Sequence, residues 1–240
     1  MPIFNKSKHF NTAFKLFLAA LSIRAIWFLA VTMSGGDWFV HDSNQFLLLS
    51  SNLLEHGEFS RSVQGPFFPD IARTPGYPLF LAFFQSIGFS IGTIASVQII
   101  ISALIPPLIF SCGILMKLKN PLLAASLLII DFALILFAPI ILSDGLFLFL
   151  LVLWFWMLLQ TTNHKKYVFV SGLLLGAMIL VRPIAQFLPL VLILWWIWQK
   201  MSKRLLLVML AGTFILPACW MTRNYVQFQT FSLSSMGSNN

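Results

Sequence analysis

Long apolar segments separated by short polar ones dominate this sequence and limit the folds open to it. Of its 240 residues, 59% are hydrophobic and only 9% are charged, and the mean hydropathy is +0.89. A globular domain that folds in water carries about 25% charged residues. The sequence therefore predicts an all-α integral membrane protein, organised as a single membrane domain over residues 1–240.

About seven of these segments are candidates to cross a membrane as helices, which takes about 20 residues. They are residues 14–33, 91–116, 121–141, 146–159, 167–181, 184–198 and 205–220. The segment 76–89 is also apolar, but at 14 residues its length suits an interfacial or re-entrant helix better. A basic N-terminus before an apolar core could be a signal peptide, but the core is long, so an uncleaved first helix is favoured.

The basic residues indicate an orientation. If the seven spans alternate from a cytoplasmic N-terminus, all nine lysines lie inside, while six of the seven acids lie outside. This is the positive-inside pattern. It accounts for the net charge of +8, and nucleic-acid binding would instead need Lys/Arg clustered on a polar domain. We expect a multi-pass plasma (inner) membrane protein with membrane lipids around it and no nucleic-acid partner.

The first external loop, residues 34–78, is a long polar stretch between apolar segments. It contains Arg61, Arg73 and five of the seven acidic residues. A polar loop of this length is usually functional or disordered, and its aromatic, leucine and proline content argues against disorder. We therefore expect it to be the active-site loop of a membrane enzyme, with the site at the external (periplasmic) face.

Asp42 is the candidate general base, able to take a proton from an acceptor hydroxyl. It precedes the amphipathic run 44–54, so it is equally suited to the start of a helix, where Asp is favoured as a cap. The two roles are compatible. Asp37 is the rival, but beside Gly35 and Gly36 it is more simply explained as a turn residue.

Arginines at external span ends are the candidate anion ligands. Arg73 begins Arg-Thr-Pro-Gly-Tyr-Pro, in which two prolines stiffen the backbone and a glycine permits a tight turn. A guanidinium has a planar fork that suits phosphate oxygens. The alternative role for Arg182 and Arg223 is that of an interfacial anchor, and the alternative role for Asp144 is that of a helix cap. Together they predict a cationic pocket that also contains acids.

Arg24 and Asp131 lie inside the first and third predicted spans. Charges within a membrane are functional candidates, but these two are at similar depth, so we expect a structural ion pair between helices. The histidines and cysteines show no metal-ligand spacing, and we predict no metal site and no cofactor, leaving a divalent-metal requirement open.

The ordered motifs resemble those of the C-type membrane glycosyltransferases that use polyprenyl-phosphate sugars. The chain is most similar to the bacterial dolichyl-phosphate-mannose protein mannosyltransferase-like group, which is related to the lipid A aminoarabinose transferases. The residues that carry the resemblance are Asp42, the segment 73–78, the segment 142–147, the segment 172–176 with Arg182-Pro183, and Arg223-Asn224-Tyr225 followed by Ser232, Gly237 and Asn239. At Asp144 the family more often has glutamate.

The resemblance implies a helical bundle whose first external loop packs as juxtamembrane helices. It also implies inverting transfer of a sugar from a polyprenyl-phosphate donor to a hydroxyl of a lipid, glycan or protein acceptor. Asp42 would be the catalytic base; Arg73, Arg182 and Arg223 would hold the leaving phosphate. Tyr77 would bind substrate, and Asp144 would lie near the acceptor or carrier.

Family members usually continue with further spans, so the resemblance implies a chain that is short at its C-terminus, Asn240. The alternative to an enzyme is a non-enzymatic carrier-lipid-binding or flippase-like subunit, or an inactive truncated remnant.

Overall fold

A computed structural model describes residues 6–36, 38–161, 167–198 and 202–235. These residues form helices and no strand. Several residues used above lie outside the described ranges, namely Asp37, three of the nine lysines (Lys165, Lys166 and Lys200), Gly237, Asn239 and Asn240. The α-helices are α1 Lys6–Met33, α2 His41–His56, α3 Gly76–Ser86, α4 Ile91–Ala103, α5 Ile105–Leu115, α6 Pro121–Ile129, α7 Phe132–Leu136, α8 Ser143–Thr161, α9 Tyr167–Val181, α10 Leu188–Trp198 and α11 Lys203–Phe228. A 3₁₀ helix, Pro183–Phe187, precedes α10.

Four helical segments of the described chain are long and apolar enough to cross a membrane: Ser7–Met33, Ile91–Leu115, Ser143–Thr161 and Lys203–Phe228. Large apolar side chains on them are exposed, among them Phe10 at 69% and Leu207 at 66%, as expected of helices that face lipid. An all-helical fold suited to a membrane is therefore supported, but with four rather than seven helices of spanning length. Tyr167–Val181 and Pro183–Trp198 are shorter apolar helices.

The third predicted span, residues 121–141, is not one helix, which corrects the sequence expectation. α6 ends at Ile129, and Asp131 adopts an extended backbone with φ −62° and ψ 120°. Its carboxylate accepts a hydrogen bond from the backbone N–H of Leu134 at 2.8 Å and so caps α7. The average hydropathy of the segment does not show this break, because the break depends on a single residue, the aspartate that caps α7.

The chain groups into two compact units, each considered alone. Unit 1 consists of the described residues within Met1–Val40 and Ser90–Leu159, and unit 2 of those within His41–Phe89 and Gln160–Asn240. The single membrane domain predicted over the whole chain stays a prediction.

In unit 1, Arg24 is fully buried and bonds to neutral oxygens rather than to Asp131. It donates from Nε to Ser102 Oγ at 2.9 Å and from Nη2 to the carbonyl of Leu128 at 3.1 Å. Leu128 is in the last turn of α6, where carbonyls lack helical partners and attract cations. The expected ion pair is therefore not formed as a direct contact, because the break after α6 offers Arg24 a carbonyl and gives Asp131 a capping role, although the charge of Asp131 still acts on Arg24.

We expect that replacing Arg24 with leucine destabilises the protein by about 1–3 kcal/mol for each buried acceptor left unpaired. Exchanging the charges, as Arg24→Asp with Asp131→Arg, should not restore stability. Thermal unfolding of the full chain in detergent measures both effects, and Ser102→Ala is a control that removes one bond only. Recovery of the wild-type midpoint by the exchange would instead establish the ion pair.

In unit 2, α9 and α11 touch backbone to backbone. A Cβ added to Gly172 would lie 2.2 Å from the carbonyl oxygen of Met209, and one added to Gly176 would lie 2.5 Å from that of Thr213. Small residues permit such close approach between membrane helices. Pro217, inside α11, has no N–H to offer the Thr213 carbonyl four residues earlier, so that carbonyl faces Gly176 instead.

Residues 41–78 of the first loop also belong to unit 2, and they include helical structure. α2 is a 16-residue helix that packs against α3. The short apolar helix predicted over 76–89 is confirmed as α3, with 11 residues; its interfacial or re-entrant placement stays a prediction. Gly76 starts α3 in close contact with the end of α9, since an added Cβ would lie 2.6 Å from backbone atoms of Leu180 and Val181.

Candidate active site

Asp42 and Gln45 lie one helical turn apart in the first turns of α2 and share a face of it. The carboxylate Oδ1 of Asp42 accepts a hydrogen bond from Arg73 Nη2 at 2.6 Å. The amide Oε1 of Gln45 accepts from Arg73 Nη2 at 3.1 Å and Nε at 3.2 Å, and from Arg61 Nη1 at 3.2 Å. One neutral oxygen therefore holds two guanidinium groups side by side.

Asp70 organises the loop behind these arginines. Its Oδ2 accepts from Arg61 Nε at 2.5 Å, and its Oδ1 accepts the backbone N–H groups of Ala72 at 2.8 Å and Arg73 at 3.2 Å. The Asp70 side chain is only 10% exposed. A carboxylate bound in this way fixes the turn that leads into Arg73 and the direction of the Arg61 side chain.

An aromatic layer supports Arg73 from within unit 2. The guanidinium carbon of Arg73 lies 5.1 Å from the ring centre of Phe46, within the range of a cation–π interaction. Tyr77 packs edge-on against Phe46 at 4.9 Å and stacks on Phe80 at 5.9 Å. Tyr77 is fully buried, and its ring supports Phe46 from the core; the substrate contact that the resemblance implies for it stays a prediction.

Arg223 contacts the site from α11, but it is enclosed by rings. Its Nη1 donates to the backbone carbonyl of Asp70 at 2.8 Å and to Asn224 Oδ1 at 3.0 Å. Its guanidinium carbon lies near three aromatic rings, those of Trp220 at 4.8 Å, Phe228 at 5.4 Å and Phe59 at 5.7 Å. In this arrangement Arg223 attaches the loop to α11 through Asp70.

The other two predicted site residues, Arg182 and Asp144, belong to different units. Arg182 follows α9 with an extended backbone, φ −142° and ψ 120°, and its N–H donates to the Met178 carbonyl at 2.9 Å. It is half-buried in unit 2. Asp144 is half-buried in the first turn of α8, where a negative charge is favourable, and belongs to unit 1. Their convergence with Asp42 and Arg73 stays a prediction.

Asp42, Gln45, Arg61, Asp70 and Arg73 form one cluster of hydrogen-bonded side chains. Three of its residues were not singled out from the sequence: Gln45, Arg61 and Asp70. Gln45 could have been found from the sequence, because it is placed one helical turn after Asp42 and would share a face of the predicted helix with it. Arg61 and Asp70 are opposite charges within one loop, which alone does not predict that they pair.

The cluster combines an available carboxylate oxygen with arginine N–H groups. The Asp42 side chain is 44% exposed, and its Oδ2 accepts no hydrogen bond from any described residue. The Arg61 side chain is 35% exposed. Such an arrangement can accept a proton from a bound hydroxyl and can bind an anion nearby. Within the described ranges, no group of three or more His, Cys, Asp or Glu side chains could hold a metal ion.

No family model, curated protein or solved structure matches this chain. The family membership implied by the ordered motifs therefore stays a prediction, and the chemistry has to be argued from the residues themselves.

Proposed function

We propose that the protein is a glycosyltransferase that moves a sugar from a polyprenyl-phosphate carrier to an acceptor hydroxyl, with inversion, at the outer face of a plasma membrane. The observation that carries the proposal is the Asp42 side chain, 44% exposed and with an Oδ2 that accepts no hydrogen bond from a described residue, beside the Arg73 and Arg61 guanidinium groups. In the proposed orientation the N-terminus is cytoplasmic, and the shorter apolar helices together with residues 121–141 complete a bundle of about seven spans.

In the proposed reaction, Asp42 Oδ2 takes the proton of the acceptor hydroxyl as its oxygen attacks the anomeric carbon. The bond between that carbon and the phosphate oxygen breaks, and its electron pair leaves with the phosphate. The phosphate gains one negative charge in this step, so cations fixed beside it stabilise the transition state more than the ground state. Arg73 would supply this charge directly, with Arg182 and Arg223 in the same unit and Asp144 assigned to the acceptor or carrier.

A second candidate is a non-enzymatic subunit that binds or flips the carrier lipid. It is favoured by a cavity of about 790 Å³ in unit 2, bounded by the 3₁₀ helix, α10, α11 and residues 231–234. Its lining is mostly apolar, with Gln186, Ser232 and Ser234 as polar members. A cavity of this size and character could take part of a lipid chain without any chemistry.

Sugar transfer by the full chain in membranes is the test. Polyprenyl-phosphate sugars labelled in the sugar are supplied, and label is followed into lipid, glycan and protein. Nucleotide sugars, which lack the lipid, are the matched control donors. Label that moves only from the lipid-linked donor, into a product of inverted anomeric configuration, is the expected result. Correctly inserted protein that binds the carrier but transfers nothing would favour the second candidate.

A further inference from the structure

Arg61 and Arg73 form a closely spaced pair of cations. Like charges repel, yet both guanidinium groups hydrogen-bond to the same oxygen of Gln45. Two carboxylates make this possible, because Asp70 pairs with Arg61 and Asp42 pairs with Arg73. Gln45 accepts three N–H groups without adding a negative charge of its own.

The pair keeps hydrogen-bond donors to spare. A guanidinium carries five N–H groups. Arg61 uses Nε and Nη1, and Arg73 uses Nε and Nη2, in the contacts given above. Arg61 Nη2 and Arg73 Nη1 donate to no described residue. Arg61 is the more accessible of the two, with 35% of its side chain exposed against 15% for Arg73.

We infer that Arg61 is a second anion-contacting residue, and that Gln45 and Asp70 are positioning residues that hold Arg61 beside Arg73 to receive one phosphate group. The inference rests on the proposed function and deepens it, because the sequence motifs assign the phosphate to Arg73, Arg182 and Arg223 and leave Arg61 out. A phosphate ester suits the pair because it offers several acceptor oxygens to two forked donors.

Gln45 provides the sharpest test of positioning. Glutamate has the same size and keeps an oxygen in place for both arginines, but it brings a full negative charge to the centre of the pair. Gln45→Glu should therefore preserve the fold and change the summed charge of the two arginines, their two aspartates and residue 45 from zero to −1, which disfavours an anion. Arg61→Gln removes the second guanidinium, and Arg61→Lys keeps its charge but loses the fork.

The measurement is binding of a fluorescent short-chain polyprenyl phosphate to the full chain in lipid nanodiscs. The uncharged polyprenyl alcohol of the same length is the matched ligand. Arg61→Gln and Gln45→Glu should each weaken binding of the phosphate by about tenfold, with Arg61→Lys intermediate, and should leave binding of the alcohol unchanged. Competition by inorganic phosphate would assign the affinity to a phosphate from either source, and its failure to compete would assign it to the lipid headgroup.

Wild-type affinity of a folded Arg61→Gln protein for the phosphate would overturn the inference, as would an equal loss of affinity for the alcohol. If Arg61→Gln fails to fold, Gln45→Glu decides by the same criteria. The outcome is separable from that of the proposed reaction. Arg61-dependent binding without sugar transfer would retain the anion site and reject the transferase, whereas transfer that does not depend on Arg61 would reject only this inference.

Discussion

Sugar transfer should fall by about 10²–10⁴-fold when Asp42 is replaced by asparagine, the range that a positioned general base contributes. Asparagine has nearly the same shape, and its amide oxygen can still accept the bond that Arg73 Nη2 makes to Oδ1 at 2.6 Å. The cluster should therefore stay assembled. The lost group is the basic oxygen that takes the hydroxyl proton, so the effect should appear in kcat and not in carrier binding.

Single-turnover transfer and carrier binding, measured on the same preparation, separate these two effects. Glu55→Gln is the matched control, because Glu55 is an exposed acid near the other end of α2, and its ion-pair partner among the described residues is His56, at 3.9 Å. It should transfer sugar at the wild-type rate. Asp42→Asn protein that keeps most of the wild-type kcat would remove Asp42 from the role of base.

Alanine substitutions at two helical glycines should change stability in opposite directions. At Gly172 the new Cβ would lie 2.2 Å from the Met209 carbonyl oxygen, and neither backbone can yield unless α9 and α11 separate. We expect a loss of about 3 kcal/mol, the upper end of overpacking costs. At Gly145, in α8, the new Cβ meets nothing within 4 Å, and alanine should gain about 1 kcal/mol from helix propensity.

Thermal unfolding and size-exclusion chromatography of both variants in the same detergent test this pair of predictions. A lower midpoint for Gly172→Ala with a raised one for Gly145→Ala is the expected pattern. Equal midpoints would mean that the contact between α9 and α11 contributes little to stability.

The sequence was sufficient to place Asp42 and Arg73 in one predicted site, although they are 31 positions apart. An acid that starts an amphipathic helix and an arginine on a proline-stiffened turn both carry local signals. Gln45, Arg61 and Asp70 were not predicted, because their contacts depend on how an irregular loop closes, and such a loop has no periodicity to interpret. Of the residues in this cluster, the sequence therefore predicts only Asp42 and Arg73.

The helices show the same limit. Hydropathy located the apolar segments, and four of the described helical segments have spanning length. It could not locate the break at Asp131, which depends on one side chain capping one N–H, nor the partners of Arg24, which that break creates. Arg223 was interpreted as a phosphate ligand or an interfacial anchor, and its aromatic surroundings were not predicted, because nothing in the local sequence shows that Phe59, from the distant loop, contributes to them.

The backbone contact between α9 and α11 has a mechanical consequence. Where a glycine meets a carbonyl, no rotamer change can absorb a displacement, so we expect the two helices to move together at Gly172 and Gly176. Arg182 directly follows α9 and Arg223 is part of α11, so we expect this contact to limit how far the two arginines can move apart. We expect adjustment of the site to a ligand to come mainly from residues 57–75, whose hydrogen bonds and ring contacts can be exchanged without separating the helices.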